Sequence, residues 1–253
     1  MCPRLPTLYA RNRPPDRPPA TVDGVSLHTP VPAIRTFHPR RGRMSPTAAD
    51  ALARLWPSRG LDVTVPMAFD REKLFGRPAP LVLEIGSGMG EATIAMAAAD
   101  PARDYLAVDV HTPGLGALLA RAESLGLGNV AAARGDAVEL LEHGLAPGSL
   151  DEICVFFPDP WPKARHHKRR IIRPAIVALM CDRLRPGGVL RTATDWPHYA
   201  EQMLEVLAAD PGLRNTFDGY APGPGPRPQT RFEQRGRSAG RPIHDCVFSR
   251  VPV

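Results

Sequence analysis

Apolar residues in the middle of the chain fall into short blocks separated by stretches of helical spacing. Leu81–Ile85, Tyr105–Val110, Val130–Ala133, Leu150–Phe157 and Val189–Ala193 are apolar runs bounded by turn residues, the pattern of buried strands. Helical segments are predicted between them at Glu91–Ala99, Leu115–Leu125, Val138–Glu142 and Ile171–Leu184, with another at His198–Ala208. Alternating βα units of this length imply an α/β fold, a mostly parallel sheet with helices on both faces, and right-handed crossovers then collect ligands at the strands' carboxyl ends. A short helix is expected at Ala48–Trp56, capped by Ser45 or Thr47. Past Pro211, Thr216–Ala221 and Asp245–Val251 read as two closing strands joined by a Pro/Gly/Arg loop longer than a hairpin needs.

Composition alters this picture mainly at the N-terminus. Nine of the first forty residues are proline, interspersed with arginine and without apolar period. Residues 1–34 are therefore expected to be a disordered tail and 35–253 one domain. A net charge of +6 favours an anionic partner without naming it. No run approaches the ~18 apolar residues of a membrane-spanning helix, and the N-terminus lacks the order of a signal peptide, so a cytoplasmic location without membrane contact is expected. Cys2, Cys154, Cys181 and Cys246 show no ligand spacing and read as reduced thiols. His111 and His198 have no ligand-spaced partner, so no metal site is expected.

Phe156-Phe157-Pro158-Asp159-Pro160-Trp161-Pro162-Lys163 carries the most information. It runs an apolar strand into a stiff elbow holding one carboxylate and one aromatic plate, since proline on either side of Asp159 fixes φ and removes amide donors. By itself the elbow could be a turn with Trp161 as a lid on the core. Lys163, Arg165, Lys168, Arg169, Arg170 and Arg173 follow at once with no acid among them, whereas a solvated helix face usually mixes signs. Such a block fits a phosphate backbone, and the elbow then suits a pocket for an extruded base.

Leu83-Glu84-Ile85-Gly86-Ser87-Gly88-Met89-Gly90 ends a strand and opens a helix, with glycines where a ligand would approach the backbone. Glu91 stands where the dinucleotide fingerprint wants a third glycine. An acid at Glu84 would repel a pyrophosphate and attract a cationic sulfonium, which favours S-adenosylmethionine over NAD. Asp109, at the end of the second strand, is placed to accept from ribose hydroxyls, and Asp136, after the third, to meet an adenine amino group. His111 either orients the ribose region or caps a turn.

These motifs together resemble the bacterial tRNA (guanine-N7)-methyltransferase family, over about Arg35 to Val253. The resemblance rests on residues 83–90, Val-Asp-Val-His-Thr-Pro-Gly at 108–114 and Phe-Phe-Pro-Asp-Pro-Trp-x-Lys at 156–163. It continues through Arg-His-x-Lys-Arg-Arg at 165–170, Ala-Thr-Asp-Trp at 193–196 and Thr-Arg-Phe-Glu at 230–233. It implies a Rossmann-like class I S-adenosylmethionine-dependent methyltransferase acting at N7 of guanine 46 in the tRNA variable loop. By the same resemblance Glu84, Gly86, Gly88, Gly90, Asp109, Asp136 and Asp159 bind S-adenosylmethionine, and Asp159 is also catalytic. Lys163, Asp195, Thr230, Arg231, Phe232 and Glu233 are assigned to substrate, and Arg165, His166, His167, Lys168, Arg169 and Arg170 to RNA contact. Asp109 stands where many relatives carry Glu.

Thr230 and Glu233 also have the spacing of a helix capping box, and that alternative stays open. So do an amino-group methyltransferase, an NAD-dependent dehydrogenase, a non-catalytic RNA-binding module, and either a monomer or a homodimer. Guanine N7 carries a free lone pair, so catalysis needs placement and a carboxylate facing the developing cation rather than a base.

Overall fold

Eight strands form one sheet in the computed structural model of the protein, which describes residues 34–37, 42–67 and 69–252. At its centre β2 (Leu81–Ile85) pairs in parallel with β3 (Asp104–Asp109) on one side and β5 (Leu150–Phe156) on the other. Outward from β3 lie β4 (Val130–Arg134) and β1 (Gly60–Asp62), both parallel. Outward from β5 lie parallel β6 (Leu184–Thr194), then β8 (His244–Arg250) and edge strand β7 (Leu213–Asn215), with antiparallel pairing from β6 to β8 and from β8 to β7. The chain moves outward from β2 through β3 to β4, then returns to β5 on the other side. That reversal opens a crevice at the carboxyl ends of β2, β3 and β5.

The sheet is buried on both faces, so its strands are continuously apolar. Leu81, Leu83 and Ile85 point into one core, shared with α6 (Pro174–Arg183) and α7 (Pro197–Ala208); Val82 points into the other, shared with α3 (Glu91–Ala99) and α4 (Thr112–Ser124). By the same two-residue period Glu84 faces α3. α1 (Pro46–Arg59) packs on α4, and its N-terminus is closed by Ser45, whose hydroxyl accepts from the Ala48 amide at 3.2 Å. Cys154, Cys181 and Cys246 are buried thiols, whereas Cys2 and the expected tail, except Ile34, lie outside the described residues.

Departures from the sequence expectation have local causes. The helix expected from Ile171 starts at Pro174, because Arg173 is held extended (φ −147°, ψ 155°) ahead of proline; Ile171 and Ile172 are buried outside the helix. Residues 137–144 form a short helix α5 (Ala137–Glu139) running into a π-turn at Leu140–Gly144. No strand forms over Thr216–Ala221. Asn215 accepts from the Phe217 amide and donates to the Gly219 carbonyl, folding the segment into a side-chain turn directly after β7. The long loop before β8 contains α8 (Arg231–Ser238), and β1 and α2 (Arg71–Phe75) were too short to announce themselves.

Candidate active site

The crevice is a cleft of about 320 Å³. Its walls include Glu84 near the end of β2 with Gly86, Ser87 and Gly88 after it, Asp109 ending β3 with His111 beyond, Phe157 and Asp159 after β5, and Thr230, Arg231 and Phe232 at the cap and start of α8. Residues more than a hundred positions apart therefore share one wall because parallel strands end at one rim.

The glycine loop explains its own composition. Gly86 and Gly88 have φ of +77° and +57°, and a Cβ added to either would meet no atom of the other described residues within 4 Å beyond its chain neighbours, so both border open space. Gly114 of α4 is needed for a different reason: its added Cβ would lie 1.8 Å from the Gly88 carbonyl oxygen. Asp109 ties the loop down, accepting from the Gly88 amide at 2.7 Å and the His111 amide at 2.8 Å. A carboxylate has about four acceptor sites, so capacity remains for a hydroxyl-bearing ligand. The Ser87 hydroxyl is buried at the cleft wall without a partner among the described residues. A backbone cradle, an acid at the second strand end and an unsatisfied hydroxyl are the donors and acceptors that the methionine and ribose portions of S-adenosylmethionine require.

Glu84 is 4 % exposed and accepts a hydrogen bond from the Thr93 hydroxyl. Burial, with a smaller contribution from Asp109, pushes its carboxyl up to about 7 although Thr93 acts in the opposite direction. Asp136 caps α5 through the Val138 amide at 2.9 Å, between the cleft-lining Gly135 and Ala137. Burial raises its pKa too, against the pull of Arg35 and Arg173. Gly90 does not line the cleft. It sits at the N-cap of α3 with its Cα turned to Leu118, so its role is helix packing.

The elbow after β5 is strained at both ends. Phe157 and Trp161 have φ of +50° and +45°, conformations that bulky residues rarely adopt and that persist only where surroundings impose them. At Phe157 the surroundings are Phe232, stacked at 6.5 Å, and Arg227, whose guanidinium lies 5.3 Å from the ring. At Trp161 they are Arg169, 4.9 Å over the ring, and the Thr36 carbonyl, which accepts from the indole N–H at 3.4 Å. Asp159, two residues from each of these anchored aromatics along the chain, borders the cleft.

Arg170, expected among the RNA contacts, is fully buried. Its Nε donates to the Pro160 carbonyl at 2.9 Å, its Nη1 bonds Gln202, and its guanidinium lies 4.5 Å from the Tyr199 ring. It braces the elbow from behind and offers no surface charge. Lys163, Arg165 and Lys168 are exposed, and His166, His167 and Arg169 half-buried, around the 3-10 helix Ala164–Arg169. The expected substrate residues divide similarly. Thr230 and Glu233 form the capping box in part: the Glu233 amide donates to the Thr230 hydroxyl at 3.2 Å, while the Glu233 carboxylate is buried against Arg227 and Arg237. Asp195 pairs with Arg241 at 2.7 Å and packs on Gly236 of α8, outside the cleft lining. Both acids dock α8. Arg231 and Phe232 are left at the cleft mouth, with Arg231 paired across it to Glu91.

Arg227 was not anticipated. It is 3 % exposed, bonds Asp245 through two nitrogens at 2.9 and 3.0 Å and Glu233 through a third, and lies beside Phe156 and Phe157. One arginine in a Pro/Gly/Arg loop carries no local signal. Thr36 and Phe37 of the cleft wall were missed for the same reason.

The family model Methyltransf_4, which describes methyltransferases, matches residues 78–246. A tRNA (guanine-N(7)-)-methyltransferase of Streptomyces avermitilis is 56 % identical over 220 residues, covering 86 % of this chain and 76 % of the relative. One of Halorhodospira halophila is 52 % identical over 220 residues, covering 86 % and 95 %. Among solved structures, the 16S rRNA methyltransferase KamB superposes with a TM-score of 0.56 at 19 % identity, over 77 % of this chain and 100 % of that one. The aminoglycoside resistance methyltransferase NpmB1 gives 0.51 at 15 %, over 76 % and 99 %. These two likenesses concern the fold. With the family match spanning β2 to β8 and relatives this similar along the whole folded region, the chain belongs to the methyltransferase family that includes the tRNA (guanine-N(7)-)-methyltransferases.

Proposed function

We propose that this protein transfers a methyl group from S-adenosylmethionine to N7 of guanine in tRNA, at position 46 of the variable loop, and that Asp159 is its catalytic carboxylate. The observation that carries the reading is the shared wall of the cleft. Gly86, Gly88, Asp109 and Asp159 converge there from three strand ends, beside a cluster of exposed cations.

S-adenosylmethionine supplies an electrophilic methyl on a positively charged sulfur. Gly86 and Gly88 admit the ligand close to the backbone, Asp109 accepts from ribose, and the cationic sulfonium favours the ionised form of the buried Glu84 carboxyl under the glycine loop. Asp136, at the neighbouring strand end, is the acceptor for the adenine amino group. Guanine N7 has a lone pair of its own, so no protein group has to remove a proton first. Asp159 accepts from the guanine N1–H and amino edge, which fixes the ring and sets a negative charge beside a purine that becomes cationic on methylation. Lys163, with Arg165, His166, His167, Lys168 and Arg169, holds the RNA backbone near the elbow. Action on tRNA fits an enzyme of the cytoplasm; no helix among the described residues is long and apolar enough to cross a membrane.

A tRNA transcript with guanosine 46 replaced by adenosine tests the site. With methyl-labelled S-adenosylmethionine, the protein should label the unmodified transcript and leave the substituted one unlabelled; equal labelling would rule out position 46.

A further inference from the structure

Asp159 stands in the elbow between Phe157 and Trp161, and each of these rings packs against a different basic element. Phe157 stacks with Phe232 of α8, while Trp161 lies under Arg169 of the 3-10 helix. A nucleotide whose base reaches Asp159 continues into backbone on both sides, with one phosphate 5′ and one 3′ to it. The cations of residues 163–169 serve one flank. We infer that the outward face of α8 binds the RNA phosphodiester on the other flank, with Arg235 as its main contact.

The inference rests on the reading of the cleft as an RNA methylation site, and its own grounds are geometric. Arg231, Gln234, Arg235 and Ser238 follow the i, i+3, i+4, i+7 spacing that brings side chains onto one helix face, and all four are exposed. They line a shallow surface depression that adjoins the cleft, with Arg231 and Arg235 bordering both. The single acid of the helix, Glu233, is turned to the opposite face and held by Arg227 and Arg237. That inner face is fixed in place: a Cβ on Gly236 would lie 2.9 Å from Asp195, so the helix sits directly on the end of β6. The outer face therefore presents guanidinium, amide and hydroxyl donors from a rigid element, the set that suits a phosphodiester. Arg231 is partly neutralised by Glu91, whereas among the described residues no carboxylate lies within ion-pair distance of Arg235. Arg235 is a positioning residue for substrate, remote in role from methyl transfer.

Binding of unmodified tRNA to the full chain should be measured against salt, together with S-adenosylmethionine affinity, thermal midpoint and methylation, for the wild type, Arg235→Ala and Arg235→Lys. Arg235→Ala is expected to weaken tRNA binding about 5- to 10-fold and to lower the log–log salt slope by up to ~0.7 to 0.9, one phosphate contact, leaving cofactor affinity and midpoint unchanged. Arg235→Lys should restore the slope and part of the affinity. An Arg235→Ala protein with wild-type tRNA affinity and slope overturns the inference. So does a loss matched by falls in cofactor affinity or midpoint, because that outcome makes Arg235 part of the cleft's frame. Failure of the wild type to methylate tRNA would instead overturn the functional reading, so the two are separable.

Discussion

Asp159 and Glu84 are two carboxyls in one cleft with different surroundings, and each supports a test of its own. Asp159→Asn keeps the shape and much of the hydrogen bonding but removes the charge that faces the purine in the proposed mechanism. Turnover at saturating tRNA and cofactor should fall by roughly 10²-fold while tRNA affinity changes little; single-turnover rates measure it, and a rate near wild type would reduce Asp159 to part of the elbow. Glu84 is buried and its pKa is raised to about 7, so between the usual carboxylate range and pH 7 the folded chain keeps a proton that the unfolded chain has released. Its contribution to stability is therefore present at low pH and declines as pH rises through that window. Relative to Glu84→Gln, the wild type should lose about 2–3 kcal/mol between pH 4.5 and 7.5 in urea denaturation. Parallel pH profiles of the two proteins would contradict the assignment. Arg227 has the opposite character: it compensates Asp245 and Glu233, so Arg227→Met leaves buried Asp245 without its arginine and Glu233 with Arg237 alone, and should cost about 3–5 kcal/mol at neutral pH. That deficit should shrink in acid, as the orphaned Asp245 carboxylate takes up a proton.

At the scale of elements, the basic run separates into a surface and a brace. Replacing Arg165 and Lys168, the exposed cations, with Ala should weaken tRNA binding and flatten its salt dependence with an unchanged thermal midpoint. Arg170→Ala should do the reverse, costing on the order of 2–3 kcal/mol of stability because the Pro160 carbonyl and Gln202 lose a buried partner. Sequence could not separate these cations, because charge patterning records that they are adjacent and not which way a 3-10 helix turns them. The same limit holds for α8. Thr230 and Glu233 carried a legible capping box, yet the helix lies in a Pro/Gly/Arg segment without apolar period, and its docking to Asp195 and Arg227 is wholly tertiary. The central strands were legible for the opposite reason. β2 is buried on both faces and its residues are all apolar except Glu84, so the one polar position marked the site as well as the strand.

For the whole molecule, the fold and the place of the cleft follow from the alternation of strands and helices, since a parallel sheet whose strand order reverses has its crevice at the carboxyl ends of the strands. The chemistry follows from which residues stand on that rim. In the proposed reading the glycine loop and Asp109 accommodate the cofactor, and the elbow presents Asp159 to the same cleft. A competing amino-group methyltransferase would use the same sheet, the same loop and a carboxylate at the same strand end, so the modified atom is what separates the accounts. The deciding measurement is nucleoside analysis of unmodified tRNA treated with the protein and methyl-labelled S-adenosylmethionine, coupled to chain cleavage at 7-methylguanosine. The account predicts that label appears in 7-methylguanosine and that cleavage occurs at position 46. Label in an N2- or N6-methylated nucleoside, or RNA that stays unlabelled while the cofactor binds, would contradict it.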